Sequence, residues 1–192
     1  MSKSITKASP DLLRLRNEGY ELEVRDGYLL VHHVPYATPE RTVALGTLVS
    51  TLQVAGDHTA QPDQHEAHFI GGPPCDKEGD PLSAIINNSD PNQLAPGLVV
   101  DHYFSSKPVT DGGRYADYWD KMTSYIAIIS SPAQTIDPTV TARPYPVLVD
   151  DDEDGNPIFN YMETASSRAG IVAVTEKLRI GPVAIIGLGG TG

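Results

Sequence analysis

Leu12, Leu13 and Leu15 stand among charged residues between Pro10 and Glu18, a spacing that predicts a short helix with Ser9 as N-cap and Gly19 as stop. Polar and apolar residues then alternate in Tyr20-Glu-Leu-Glu-Val. Asp26-Gly27 supplies a two-residue turn, and Tyr28-Leu-Leu-Val-His-His-Val returns, so residues 20–34 read as a β-hairpin. Val43, Leu45, Leu48, Val49, Leu52 and Val54 mark residues 41–54 as a further strand. His65–Gly71 and Gly97–Ser105 read as two more strands. The stretch from Gly72 to Pro96, rich in Pro, Asp, Asn and Gly, reads mainly as loop.

Tyr118, Met122, Tyr125, Ile126 and Ile129 recur every three or four residues, which predicts a helix over Tyr115–Ile129 ended by Ser-Ser-Pro132. Aromatic and methionine side chains at this spacing belong more often to a core than to a docking face. Pro144-Tyr-Pro-Val-Leu-Val has the composition of an edge strand, because proline cannot donate to a ladder. The five consecutive acids Asp150–Asp154 repel one another and read as a solvated linker rather than a calcium loop. Thr164–Leu178 follows as a second helical segment, and Val183-Ala-Ile-Ile186 as a short strand apolar on both faces. The domain division expected is therefore residues 1–149, an acidic linker over 150–157, and a further unit from 158 to 192.

Charge narrows the partners. Aspartate and glutamate total 25 against 14 lysine and arginine, a formal net charge of −11, which disfavours nucleic acid and anionic membrane surfaces. No apolar run approaches the ~20 residues of a membrane span. The polar N-terminus has no signal core. One cysteine, Cys75, excludes an internal disulfide and fits a reducing, cytoplasmic setting.

The chain ends in chemistry. Val183-Ala-Ile-Ile-Gly187-Leu-Gly189-Gly190-Thr191-Gly192 is an apolar strand running into Gly-x-Gly-Gly-x-Gly. Glycine permits the positive φ angles of a sharp strand-to-helix turn and lets backbone N–H groups approach phosphate oxygens closely. The same physics serves a dinucleotide such as NAD or FAD, and a tight corner without a ligand uses the same residues.

The stretch from Ser167-Arg168 through Glu176-Lys177-Leu178 into Gly187, Gly189, Gly190 and Gly192 resembles the opening of the ThiF/MoeB/E1-type adenylyltransferases. The resemblance implies a Rossmann-like α/β domain that binds ATP with Mg2+ and adenylates the C-terminal carboxylate of a ubiquitin-like protein. It also implies homodimerisation, and a phosphate-contacting role for Arg168, although Ala169 stands where the family usually has glutamine. On residue type alone Arg168 is equally a surface or capping cation. The family's magnesium-binding aspartate and later basic residues would fall beyond Gly192, so the chain is expected to be a fragment, inactive alone.

His68-Phe-Ile-Gly71 with Pro74-Cys75, Val100–Pro108, and Lys121-Met-Thr123 through Gln134 resemble the domain that precedes such enzymes in bacterial ubiquitin-like conjugation operons. That likeness implies an accessory role in recruiting the modifier or an E2-like protein. Within this domain His65, His68, Cys75, Asp101 and His102 are the candidates for a site. His65 and His68 point to opposite faces of one strand, and neither Cys-x2-Cys nor His-x3-His occurs, which disfavours zinc. Cys75 as a nucleophile would need an imidazole to lower its pKa. Ser105-Ser106-Lys107 invites a Ser–Lys hydrolase reading, but adjacent strand residues face opposite ways. The commoner roles are histidines hydrogen-bonded in loops and a small buried thiol.

The fold class expected is α+β, a mostly antiparallel sheet with flanking helices, followed by the first helix and strand of a Rossmann-like adenylation domain. The function expected is the N-terminal portion of an E1-like adenylyltransferase. The alternative is a non-catalytic interaction module with a structural glycine-rich tail.

Overall fold

The computed structural model describes residues 5–6, 8–108 and 111–145. The acidic run, the helix expected over 164–178, Arg168 and the glycine loop lie outside the described residues.

The fold is α+β, built on a six-stranded antiparallel sheet. Its strands are β1 (Leu22–Arg25), β2 (Tyr28–Ala37), β3 (Val43–Thr51), β6 (Glu66–Ile70), β10 (His102–Ser105) and β7 (Ile86–Asn88), neighbours in that order. Two small hairpins are added: β4 (Val54–Ala55) with β5 (His58–Thr59), and β8 (Asn92–Ala95) with β9 (Leu98–Val100). Two α-helices pack on the sheet, α1 (Pro10–Asn17) and α2 (Tyr118–Ile136), and a 3-10 turn spans Asp111–Gly113.

The β1–β2 hairpin turns at Asp26-Gly27, where both residues have positive φ, 51° and 81°, as a tight turn matched to strand twist requires. The expected strand over 41–54 ends at Thr51, and Val54–Thr59 folds back as the separate β4–β5 hairpin. The expected strand over 97–105 divides: Leu98–Val100 pairs with β8, whereas His102–Ser105 joins the central sheet between β6 and β7. Alternation continues through both halves, so the sequence pattern carries no sign of the break at Asp101. The stretch from Gly72 to Pro96 is mainly loop, but contains β7 and β8.

Apolar residues from alternate positions fill the two faces. Leu29, Val31, Val34, Tyr36, Leu48, Phe69 and Phe104 face the helices and pack with Leu12, Leu15, Tyr118, Met122, Tyr125 and Ile129. The Tyr–Met stripe of α2 is thus core. On the opposite face Leu30 and Val49 are covered by Leu98 and Val100 of the β8–β9 hairpin. The sheet is the middle layer of three.

Helix α2 differs from expectation at its far end, for it runs through Pro132 to Ile136. Proline at 132 removes the bond to the Ile128 carbonyl. Ile128 is exposed and Pro132 half-buried, whereas Ile129, Ser130 and Ala133 stay buried on the core side. At its start Asp117 caps the helix by accepting from the Asp120 N–H at 2.8 Å. Ser9 occupies the N-cap position of α1, but its hydroxyl accepts from the Thr59 N–H at 3.0 Å instead. Buried Asp11 accepts from the Thr59 hydroxyl and the Tyr118 N–H, tying α1 to β5 and α2. Of the strand expected over 144–149, Pro144 and Tyr145 form a bend, and the remainder lies outside the described residues. No helix among the described residues is long and apolar enough to cross a membrane.

Candidate functional site

The register between β2 and β3 shifts between Val31 and Val34. This bulge gives one strand an extra residue and re-aims its side chains. His33 sits there with φ of 58°, a left-handed conformation that a non-glycine residue adopts only when its surroundings hold it. Beneath the bulge lies a groove of about 440 Å³ lined by Glu21, His32, His33, Leu45, Gly46, Thr47, Ile70 and Gly71, within the ~300–1,000 Å³ of small-ligand sites.

Each histidine is anchored by a glutamate. His33 Nδ1 lies 2.9 Å from a Glu21 carboxylate oxygen. His32 Nε2 lies 3.0 Å from Glu23 Oε2, and its Nδ1 lies 3.2 Å from Thr47 Oγ1. A carboxylate only accepts, so in the neutral imidazoles the nitrogens facing Glu21 and Glu23 carry the protons. His32 Nδ1 is then an acceptor, and the Thr47 hydroxyl donates to it. The Tyr145 hydroxyl donates to Glu21 at 3.4 Å. Leu45 is 57% exposed on the groove wall. Neighbouring Gly46 packs tightly on the reverse face, where a Cβ would meet Phe69 Cζ at 2.3 Å.

A second polar constellation lies inside the core. Lys121, fully buried, donates to Ser50 Oγ at 2.9 Å and to the Gln64 carbonyl at 3.0 Å. Burial draws its pKa down to about 8, against the opposing pull of Glu66 and Asp63. A lysine near a serine hydroxyl is the arrangement of Ser–Lys nucleophiles, but both side chains are sealed from solvent. Around it Tyr125 donates to the His65 carbonyl and accepts from the Ser106 N–H. The Tyr118 hydroxyl accepts from the Gln53 N–H.

The histidines and cysteine singled out from the sequence are dispersed. His102 lies 2.9 Å from Ser89 Oγ through Nδ1 and 3.2 Å from the Gly71 carbonyl through Nε2. Asp101 accepts from the Gly71 N–H and Tyr36 from the Gly72 N–H, so these three side chains clasp one loop. His65 presents the same nitrogen, Nε2, to Ser105 Oγ at 3.0 Å and to Glu66 at 3.2 Å. A relay needs opposite ring nitrogens, so this is no triad. Ser106 is engaged through its backbone with Tyr125 and Tyr115. Cys75 is buried and donates to the Pro73 carbonyl. Burial first, then the carboxylates of Asp76, Glu40 and Asp80, push its thiol up, opposite to the need of a nucleophile. No group of three or more His, Cys, Asp or Glu among the described residues is arranged to hold a metal ion.

A match to the family described as "Domain of unknown function (DUF6791)" covers residues 10–164. The chain belongs to this family. No curated protein and no solved structure is matched. The matched segment of the DUF6791 chain takes in the whole described sheet, both helices and the acidic run. Two of the domain's polar centres escaped sequence reasoning. The bulge that pairs His33 with Glu21 has no compositional mark. Lys121, however, sits three residues after Tyr118 and four before Tyr125, inside the apolar stripe, and that placement is a readable sign of a buried cation.

Proposed function

We propose that this chain is the N-terminal part of an E1-like, ATP-dependent adenylyltransferase acting on a ubiquitin-like protein in the cytoplasm. The observation that carries the reading is the apolar run Val183–Ile186 leading into Gly187, Gly189, Gly190 and Gly192, residue types suited to a backbone phosphate cradle in a Rossmann-like domain. ATP, taken with Mg2+, is the nucleotide, and Arg168 contributes to its phosphates across a homodimer. The modifier's terminal carboxylate attacks the α-phosphorus and pyrophosphate leaves.

Residues 1–149 serve recruitment of the modifier or an E2-like protein. The support is chemical: the Cys75 thiol is buried with a raised pKa and the Ser50–Lys121 pair is sealed, whereas the groove at β2 opens to solvent. The test is ATP–pyrophosphate exchange by the full-length protein with its modifier. Exchange that Gly187→Val abolishes supports the proposal. Exchange unchanged by that substitution, or absent with every cognate modifier, overturns it in favour of an interaction module.

A further inference from the structure

We infer that the groove beneath the β2 bulge is a receptor for a lysine side chain of a partner protein. The inference rests on the groove itself and not on the glycine loop.

The argument is a count of donors and acceptors. In the neutral imidazole, Nδ1 of His33 gives its proton to Glu21, which leaves Nε2 as an acceptor on a half-exposed ring that lines the groove. Thr47 gives its hydroxyl proton to His32, which leaves its oxygen an acceptor. Glu21 accepts from His33 and Tyr145, so with the His33 ring in its neutral form the carboxylate charge has no cationic partner in these contacts. The polar side chains lining the groove therefore present acceptors and negative charge, and complementarity calls for a cationic donor. The 57% exposed Leu45 and the half-buried Ile70 add apolar wall, which suits the aliphatic stem that a lysine carries behind its charge.

Lysine fits better than arginine. An ammonium offers three donors in divergent directions, matching separate acceptors on β2, β3 and the residue before β1. A guanidinium fork seeks both oxygens of one carboxylate, and Glu21 already accepts two hydrogen bonds.

The test uses the 192-residue chain and two small probes, Nα-acetyl-lysine methylamide and its Nε-acetylated form, titrated while backbone amide shifts are followed by NMR. The lysine probe is expected to give saturable shifts at His33, Thr47 and Gly71, and the acetylated probe none. Glu21→Gln is expected to weaken the lysine probe at least tenfold. Leu45→Ser, at an exposed position that cannot compromise folding, is expected to weaken it severalfold. Equal binding of both probes, undiminished binding by Glu21→Gln, or shifts mapping away from the groove overturns the assignment. Because neither probe involves ATP, failure here leaves pyrophosphate exchange untouched, and loss of exchange in Gly187→Val leaves lysine binding intact.

Discussion

Replacing Lys121 with methionine removes a fully buried ammonium while keeping an unbranched side chain of similar length. The fall of the lysine pKa from 10.5 to about 8 corresponds to about 3 kcal/mol by which the fold disfavours the charged form. Below pH 8 both folded and unfolded chains carry the proton and the full penalty applies. Between pH 8 and 10.5 the unfolded chain still binds the proton and the folded chain has released it, so stability rises with pH. Cys75 and the tyrosines set the upper bound: burial raises the thiol, so the unfolded chain ionises it first and stability is lost as pH passes about 9. Burial holds Tyr103, Tyr115, Tyr118 and Tyr125 above the ordinary 10, so an unfolded chain ionises them first and stability falls as pH passes 10. The wild-type chain should therefore gain about 1 kcal/mol between pH 7 and pH 9, read from urea unfolding at a series of pH values. Lys121→Met should lose that rise. Its stability at pH 7 is a balance of about 3 kcal/mol relieved against about 1–3 kcal/mol for the orphaned Gln64 carbonyl, so the slope and not the absolute value decides. A flat wild-type profile, or an identical rise in Lys121→Met, refutes the reasoning.

His68 is held below its ordinary value by burial and then by the Lys121 charge, and its Nδ1 is buried without a partner. The unfolded chain thus takes a proton first, and stability should fall as pH drops below about 6.5; His68→Gln should flatten that limb in urea titrations between pH 6.5 and 5. Gly46→Ala should lower the unfolding free energy by about 1–3 kcal/mol. The new Cβ meets Phe69 Cζ at 2.3 Å and the Ile70 carbonyl oxygen at 2.7 Å, and Phe69 is itself fixed between Tyr36 and Phe104. An unchanged midpoint would show that β3 can shift to admit a methyl group.

The parts of the fold that were legible are those in which one local cause suffices. Asp26-Gly27 admits two consecutive positive φ angles, and the register of β1 on β2 follows from that turn. The stripe from Tyr118 to Ile129 has one period and one buried face. What escaped reading depends on choices between equally good local solutions. Leu98–Val100 and His102–Ser105 alternate without interruption, and only the competition between β8 and β6 for their backbone groups separates them. Pro132 is a helix breaker when its lost bond is buried. Here the lost bond falls at exposed Ile128, and the buried contacts of Ile129 and Ala133 carry the helix onward.

The same distinction explains the polar residues. His65, His68, Cys75, Asp101 and His102 drew attention because their types can do chemistry, yet no two of their side chains bond each other, and Asp101 and His102 meet only through Gly71, whose backbone both hold. Their partners are Ser105, Tyr103, Pro73, Gly71 and Ser89, residues whose proximity the topology alone creates. Inside the sheet layers the hydroxyls of Ser50, Tyr115, Tyr118 and Tyr125 find partners in backbone groups or in Lys121, and such partnered groups hold the fold in one arrangement rather than react. At the β2 bulge the bookkeeping closes differently. Two glutamates each take one imidazole proton, and in the neutral rings this leaves His33 Nε2 and Thr47 Oγ1 as acceptors on side chains that line the groove. The lysine receptor proposed there thus differs from the interior, where Lys121, Tyr115, Tyr118 and Tyr125 are partnered, although His68 Nδ1 and Ser130 Oγ are not. The strain at His33, with φ of 58°, is what positions that surface.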